Sequence, residues 1–107
     1  MPLQTHPVEP LPPAVDEAWE AVRSRTRVAI VKWLCDNPGS QMSVLIRGIG
    51  GQRITVRGHL LVLEEIGVVL ASHPAGGRER HTVTYAIDLA RWEELLGRLR
   101  NYPRSTH

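Results

Sequence analysis

Four polar side chains crowd the start of one apolar-patterned stretch: Gln52, Arg53, Thr55 and Arg57. An arginine fork can donate two hydrogen bonds to a guanine edge, and a glutamine amide can pair in the same bidentate way with an adenine edge. A threonine hydroxyl suits a phosphate oxygen, which fixes position without reading sequence. Arg53, Arg57 and Gln52 are therefore the candidate readers of bases and Thr55 the candidate phosphate contact. Further along, Arg78 and Arg80 follow Gly76 and Gly77 in a turn-forming stretch, a second basic point able to clamp phosphate or enter a minor groove.

Charge placement agrees with that chemistry. The net charge is only +2, but from Arg23 to Leu63 the basic residues Arg23, Arg25, Arg27, Lys32, Arg47, Arg53 and Arg57 face a single acid, Asp36. The other acids lie mostly in the flanks, at Asp16, Glu17 and Glu20 before this stretch and at Glu64, Glu65, Glu93 and Glu94 after it. A basic segment between acidic ones suits a polyanion on one face.

Other reactive groups offer less. Cys35 is the only cysteine, which excludes an internal disulfide and a structural zinc ribbon, and beside Leu34 it is expected to be a small, inert buried side chain. His59 is expected to make a structural hydrogen bond. His73 and His81 have no cysteine or carboxylate cluster near them in sequence. Trp19, Trp33 and Trp92 are expected in the core or between chains. The adjacent pairs Glu64 with Glu65 and Glu93 with Glu94 point in different directions on a helix and make no acid–base dyad. No nucleophile, base and orienting group recur together, so neither an enzyme nor a metal or cofactor site is expected.

The elements that position these residues follow from periodicity. Residues 1–13 contain five prolines and are expected to form an extended, poorly ordered tail. Ala14 to Arg23 places Val15, Ala18, Trp19 and Val22 at helical spacing. Ser24 can cap a second helix to about Cys35, with Val28, Ile30, Val31 and Leu34 buried while Arg25, Arg27 and Lys32 stay in solvent. Ser40 to Ile49 reads as a third helix carrying Met42, Leu45, Ile46 and Ile49, and Gly48, Gly50 and Gly51 as the turn after it. A fourth helix from Gln52 buries Ile54, Leu60, Leu61 and Leu63 and ends at Gly67, placed for a left-handed cap.

The period then drops to two. Val68 to Ser72 and Thr82 to Ile87 are rich in β-branched residues, and 73–80 cannot sustain either strand, which predicts a hairpin with a basic tip. Asp88 can cap a last helix with Leu89, Trp92, Leu95, Leu96, Leu99 and Tyr102 on one side, before Pro103 and a short C-terminal tail, 103–107. The predicted order is α-α-α-α-β-β-α: a mainly α domain over 14–102 with a β-hairpin wing, a winged helix-turn-helix. No apolar run is long enough for a membrane span and no signal-type start is present, so a cytoplasmic protein is expected.

Three stretches resemble the arsenic-repressor (ArsR-like) winged-helix family of bacterial regulators. Ser24-Arg25-Thr26-Arg27-Val28-Ala29-Ile30 is similar to the start of that family's second helix. Thr55-Val56-Arg57-Gly58-His59-Leu60-Leu61-Val62-Leu63-Glu64-Glu65-Ile66-Gly67-Val68-Val69 is similar to its recognition helix and following strand, and Gly76-Gly77-Arg78 with Val83-Thr84-Tyr85 to its wing. The resemblance implies a sequence-specific regulator, a repressor, binding double-stranded DNA as a homodimer. Its first and last helices would form the two-fold interface, here through Val15, Trp19, Val22, Trp92, Leu96 and Leu99, and the operator would be an inverted repeat. Metal-sensing members use cysteines on the third helix or Asp and His on the last, whereas Ser40 to Ile49 has no Cys and Asp88 to Tyr102 has no His. Two other readings stay open: a plasmid or phage accessory protein for recombination, replication or end maintenance, and a winged-helix protein-interaction module. Gly58, inside the recognition helix, costs about 1 kcal/mol relative to Ala, and its use is left between close approach to DNA and to a neighbouring helix.

Overall fold

A computed structural model describes residues 8–78 and 81–104. The expected tail therefore overlaps it only from residue 8, and 1–7, Arg80 and 105–107 lie outside the described residues. Five helices and three short strands follow in the order α1 (Pro13–Val22), α2 (Arg25–Asp36), β1 (Ser40–Gln41), α3 (Met42–Ile49), α4 (Arg53–Ile66), β2 (Val69–Ala71), β3 (Thr84–Ile87) and α5 (Leu89–Asn101). This is the winged helix-turn-helix expected from the sequence, with one strand added. None of the helices among the described residues is long and apolar enough to cross a membrane.

The helix boundaries have local causes. Pro13 opens α1 at a position where its missing N–H would have been unpaired anyway. The Ser24 and Asp88 side chains cap α2 and α5 by accepting from the backbone N–H of Arg27 and Arg91. Gly67 closes α4 in the left-handed region, with φ of 94°, which a side chain would strain. Asp88 N–H also donates to the Val68 carbonyl at 2.9 Å, so α5 starts tied to the strand that leaves α4.

The added strand comes from long-range pairing. Ser40 and Gln41 lie antiparallel to Tyr85 and Thr84, giving a three-stranded sheet in the order β1-β3-β2. Two residues carry no period of their own, which is why this stretch reads as the start of a helix.

The core gathers Ala18 and Ala21 from α1, Ile30, Val31 and Leu34 from α2, Leu45 from α3, Val56, Leu60 and Leu63 from α4, Val68, Val69 and Tyr85 from the hairpin, and Leu95 from α5. Two expected faces are corrected. Arg27 is buried while Val28 is 42% exposed. Arg27 stands three, four and seven residues before Ile30, Val31 and Leu34 and so shares their face, whereas Val28 lies about 100° off Arg27 around the helix. Ile54 is 79% exposed, and Val56 takes the buried place near the start of α4. Leu89 and Tyr102, at the two ends of the α5 stripe, are also exposed. Cys35 is exposed and unpaired rather than buried, about 100° around α2 from the buried Leu34.

Gly48 belongs to α3 and not to the turn. A Cβ there would stand 2.3 to 2.6 Å from atoms of the Trp33 ring. The indole reaches this position with its N–H donating to the Ser40 hydroxyl at 3.3 Å, which joins α2 to β1. Gly48→Ala is expected to lose about 1–3 kcal/mol through overpacking, although Ala is the better helix former by about 1 kcal/mol. Urea unfolding followed by tryptophan fluorescence checks this; an Ala variant as stable as the parent would mean that the ring moves aside freely.

α1 and α5 pack on each other within the chain. Glu17 accepts from Arg91 and from Arg98, both at 2.8 Å, and Arg91 also donates to the Ile66 carbonyl at the end of α4. The hydrogen bond from Arg98, joined by that from Arg91, holds the Glu17 carboxyl below its ordinary pKa against the opposing effect of desolvation. Val22, Trp92 and Leu99 are partly buried against the core, Val15 and Leu96 are half-buried, and Trp19 is exposed.

Candidate nucleic-acid interface

α3, the Gly50–Gly51 turn and α4 form the helix-turn-helix. Gly50 and Gly51 have φ of 82° and 99°, so the chain reverses through two left-handed residues and delivers Gln52 as the residue before α4. Gln52 has an extended backbone and its side chain makes no capping bond, leaving the amide unused. Gln52, Arg53, Thr55 and Arg57 are all exposed. Among the described residues none of these four side chains has a hydrogen-bond or ion-pair partner. Val56, Leu60 and Leu63 hold the opposite face of α4 in the core, so the free face is fixed by packing and not by contacts of its own.

Ion pairing neutralises part of the basic stretch and leaves the rest free. Of the seven basic residues between Arg23 and Leu63, Arg23 and Arg27 pair with Glu20, and Lys32 with Asp36. Among the described residues Arg25, Arg47, Arg53 and Arg57 form no ion pair. Arg53 and Arg57, one turn apart, line an open cleft of about 500 Å³ between α4 and the hairpin, together with Arg78, His81 and Tyr85.

The hairpin is built differently from its reading as a free basic tip. Arg78 is folded back: its Nε donates to the His73 carbonyl at 2.9 Å, a second guanidinium nitrogen pairs with Glu64 of α4, and the guanidinium carbon stands 5.9 Å from the Tyr85 ring centroid. The pair is mostly buried, with side chains 18% and 20% exposed, and the second Glu64 oxygen has no partner among the described residues. Nothing in the sequence separates Glu64 from the exposed Glu65; only the return of the hairpin over α4 does. His73 and His81 stack 4.2 Å apart, and the Ser72 hydroxyl accepts from the Thr84 N–H at 2.9 Å. Arg80, the other expected contact, lies outside the described residues.

Arg78 thus has a positioning function that sequence reasoning missed, tying the hairpin to α4. A double-mutant cycle of Glu64→Ala and Arg78→Ala is expected to give a coupling of about 1–2 kcal/mol in unfolding free energy, as for contacting, half-buried charged groups. Additive losses would mean that the pair does not join hairpin and helix.

His59 sits on the inner side of α4 as expected. Its Nδ1 accepts from Arg27 Nε at 3.0 Å, which puts the proton of the neutral ring on Nε2. Desolvation, followed by the nearby Arg27 and Arg23 charges, pushes its pKa below 6.5. Among the described residues no three His, Cys, Asp or Glu side chains come together as a metal-binding group.

No protein-family model and no curated protein matches the sequence. Solved structures do match its fold. An ArsR-like transcriptional regulator from Rhodococcus sp. RHA1 superposes with a TM-score of 0.67 at 20% identity, over 86% of this chain and 81% of that one. A second ArsR family transcriptional regulator gives 0.61 at 19% identity, over 94% and 100% of the two chains. A possible transcriptional regulator for arsenical resistance gives 0.60 at 23% identity, over 85% and 98%. The chain has the fold of ArsR-like regulators.

Proposed function

We propose that this protein is a non-enzymatic, sequence-specific regulator of transcription, a repressor that binds double-stranded DNA as a homodimer. The observation that carries the reading is the start of α4, where Gln52, Arg53, Thr55 and Arg57 stand exposed without side-chain partners among the described residues, on a helix packed from behind by Val56, Leu60 and Leu63. Bidentate donors fixed on a helix that can enter the major groove are what base recognition requires. Arg53, Arg57 and Gln52 read base edges, Thr55 holds phosphate, and Arg78 and Arg80 of the hairpin clamp phosphate or enter the minor groove. Transcriptional regulators that share this fold add support at the level of fold.

The dimer is proposed to form through α1 and α5, with Val15, Trp19, Val22, Trp92, Leu96 and Leu99. Support comes from Trp19 and Leu89, large apolar side chains left 46% and 56% exposed on these two helices. A two-fold axis there requires an operator of inverted half-sites about 34 Å, or a multiple of it, apart.

Enrichment of random duplex DNA on the purified protein, followed by sequencing, tests the reading. An inverted repeat bound with strong salt dependence is expected; weak, salt-insensitive binding without sequence preference would overturn it. Sedimentation of the parent against a protein with Leu96→Glu and Leu99→Glu tests the dimer. A parent mass near the 12.0 kDa of one chain would sink it.

A further inference from the structure

Two residue choices on α4 have no explanation within the fold. Ile54, at 79% exposure, is the most exposed large apolar side chain on any helix or strand among the described residues. A β-branched residue is also a poorer helix former than the long polar side chains that usually fill such a place. Gly58 is the second. It is exposed mid-helix, where glycine is unfavourable, and a Cβ built on it meets nothing within 4 Å. No neighbouring helix of this chain requires its smallness.

Ile54 and Gly58 are four residues apart and so lie one above the other on one face of α4. Each directly follows an arginine, Arg53 and Arg57, that is exposed and forms no ion pair among the described residues. The result is an apolar knob with a bare stretch of backbone one turn beyond it, edged by two uncompensated positive charges and by Thr55. An apolar protein partner would leave those arginines desolvated or idle. A polyanion bearing small apolar groups at a fixed depth uses all of these features.

Resting on the DNA-binding reading above, we infer that Ile54 contacts the 5-methyl group of a pyrimidine in the major groove and that Gly58 lets the duplex approach the α4 backbone. The major-groove edge of a T·A pair presents that methyl group beside its hydrogen-bonding atoms, and aliphatic contact distinguishes it from the bare C5 of cytosine. Ile54 adds a reader that forms no hydrogen bond, so specificity at its base pair comes from apolar contact alone. 5-Methylcytosine offers the same group.

The test uses the full chain and the duplex enriched on it. Each thymine is replaced in turn by deoxyuracil, which removes only the methyl group, and each cytosine by 5-methylcytosine. At one thymine per half-site, deoxyuracil is expected to weaken binding of the parent about fourfold, the effect of burying one methyl-sized group. Ile54→Ala is expected to bind both duplexes alike at that position. A gain on 5-methylcytosine, lost in Ile54→Ala, assigns the contact to a methylated cytosine instead. Gly58→Ala gives a second readout. Its added methyl has open space in the free protein, so the thermal midpoint should rise, while affinity for the enriched duplex falls about tenfold or more.

Specific binding that ignores every methyl replacement, or Ile54→Ala discriminating as the parent does, would overturn the inference and leave the DNA-binding reading standing. Failure to enrich any duplex would remove both. Unchanged DNA affinity with altered sedimentation in Ile54→Ala would place the strip in a protein contact and overturn the inference as well.

Discussion

On the proposed DNA-binding reading, a protein with both Arg53→Ala and Arg57→Ala is expected to keep its fold and lose about 2–5 kcal/mol of specific binding free energy, on the scale of two bidentate base contacts. The fold is safe because neither guanidinium bonds to any described part of the chain, and both side chains leave α4 on its solvent side. The loss is expected to be large because Val56, Leu60 and Leu63 hold α4 from behind, so the two forks would reach a duplex already oriented. Each single variant is expected to lose about 1–3 kcal/mol. Titration of the enriched duplex at two or more salt concentrations separates base from phosphate contact. A lost phosphate contact lowers the salt slope by about one unit, whereas a lost base contact leaves the slope and relaxes preference at one position. A folded double variant that binds the enriched duplex as tightly as the parent would remove the recognition role from α4.

Much of the fold was legible because its signals are local. Ser24 and Asp88 cap the helices that follow them, Gly67 adopts the left-handed backbone its position implies, and Leu60, Leu63 and Leu95 fall on the buried faces their spacing gives them. What was not legible depends on contacts distant in sequence. β1 exists only through its pairing with Thr84 and Tyr85. Gly48 looks like part of a glycine turn until Trp33, fifteen residues earlier, is seen against it. Arg78 reads as a free wing residue until the hairpin returns it to Glu64.

The misplaced faces have another origin. Chemical type places Arg27 outside and Val28 inside, although the helical period puts Arg27 on the buried stripe. The same habit hid Ile54. It lies about 200° around α4 from Val56 and cannot share its side. In both cases the period is correct and the residue type misleads.

Arg27→Ala is expected to lose about 3 kcal/mol of stability, more than removing any of the surface ion pairs. Arg27 is only 4% exposed. Its guanidinium donates to the Glu20 carbonyl and carboxylate near the end of α1, and to His59 Nδ1 on α4, so one side chain fastens three helices. Alanine leaves these acceptors short of a donor and a void where the aliphatic stem packed. Arg27→Met refills the stem and saves the desolvation of a buried charge, so about half of the loss should return. pH adds an independent readout. Because the folded pKa of His59 lies below 6.5, the unfolded chain binds the proton more readily. The stability from its neutral ring is complete above pH 6.5 and is lost as pH falls through the folded pKa. Glu17, Glu20 and Glu94 are lowered from 4.5, so their contributions are lost only in more acid solution. Between about pH 5 and 6.5 the slope specific to this site therefore reports His59. His59→Gln should flatten that slope, and Arg27→Met should make it shallower without abolishing it, since burial, the larger cause of the shift, persists while the arginine charge is gone. Urea unfolding of the parent and the three variants across that range decides the matter: an Arg27→Ala protein as stable as the parent, or a slope unchanged by His59→Gln, would show that the Arg27–His59 bond does not hold α4 in place.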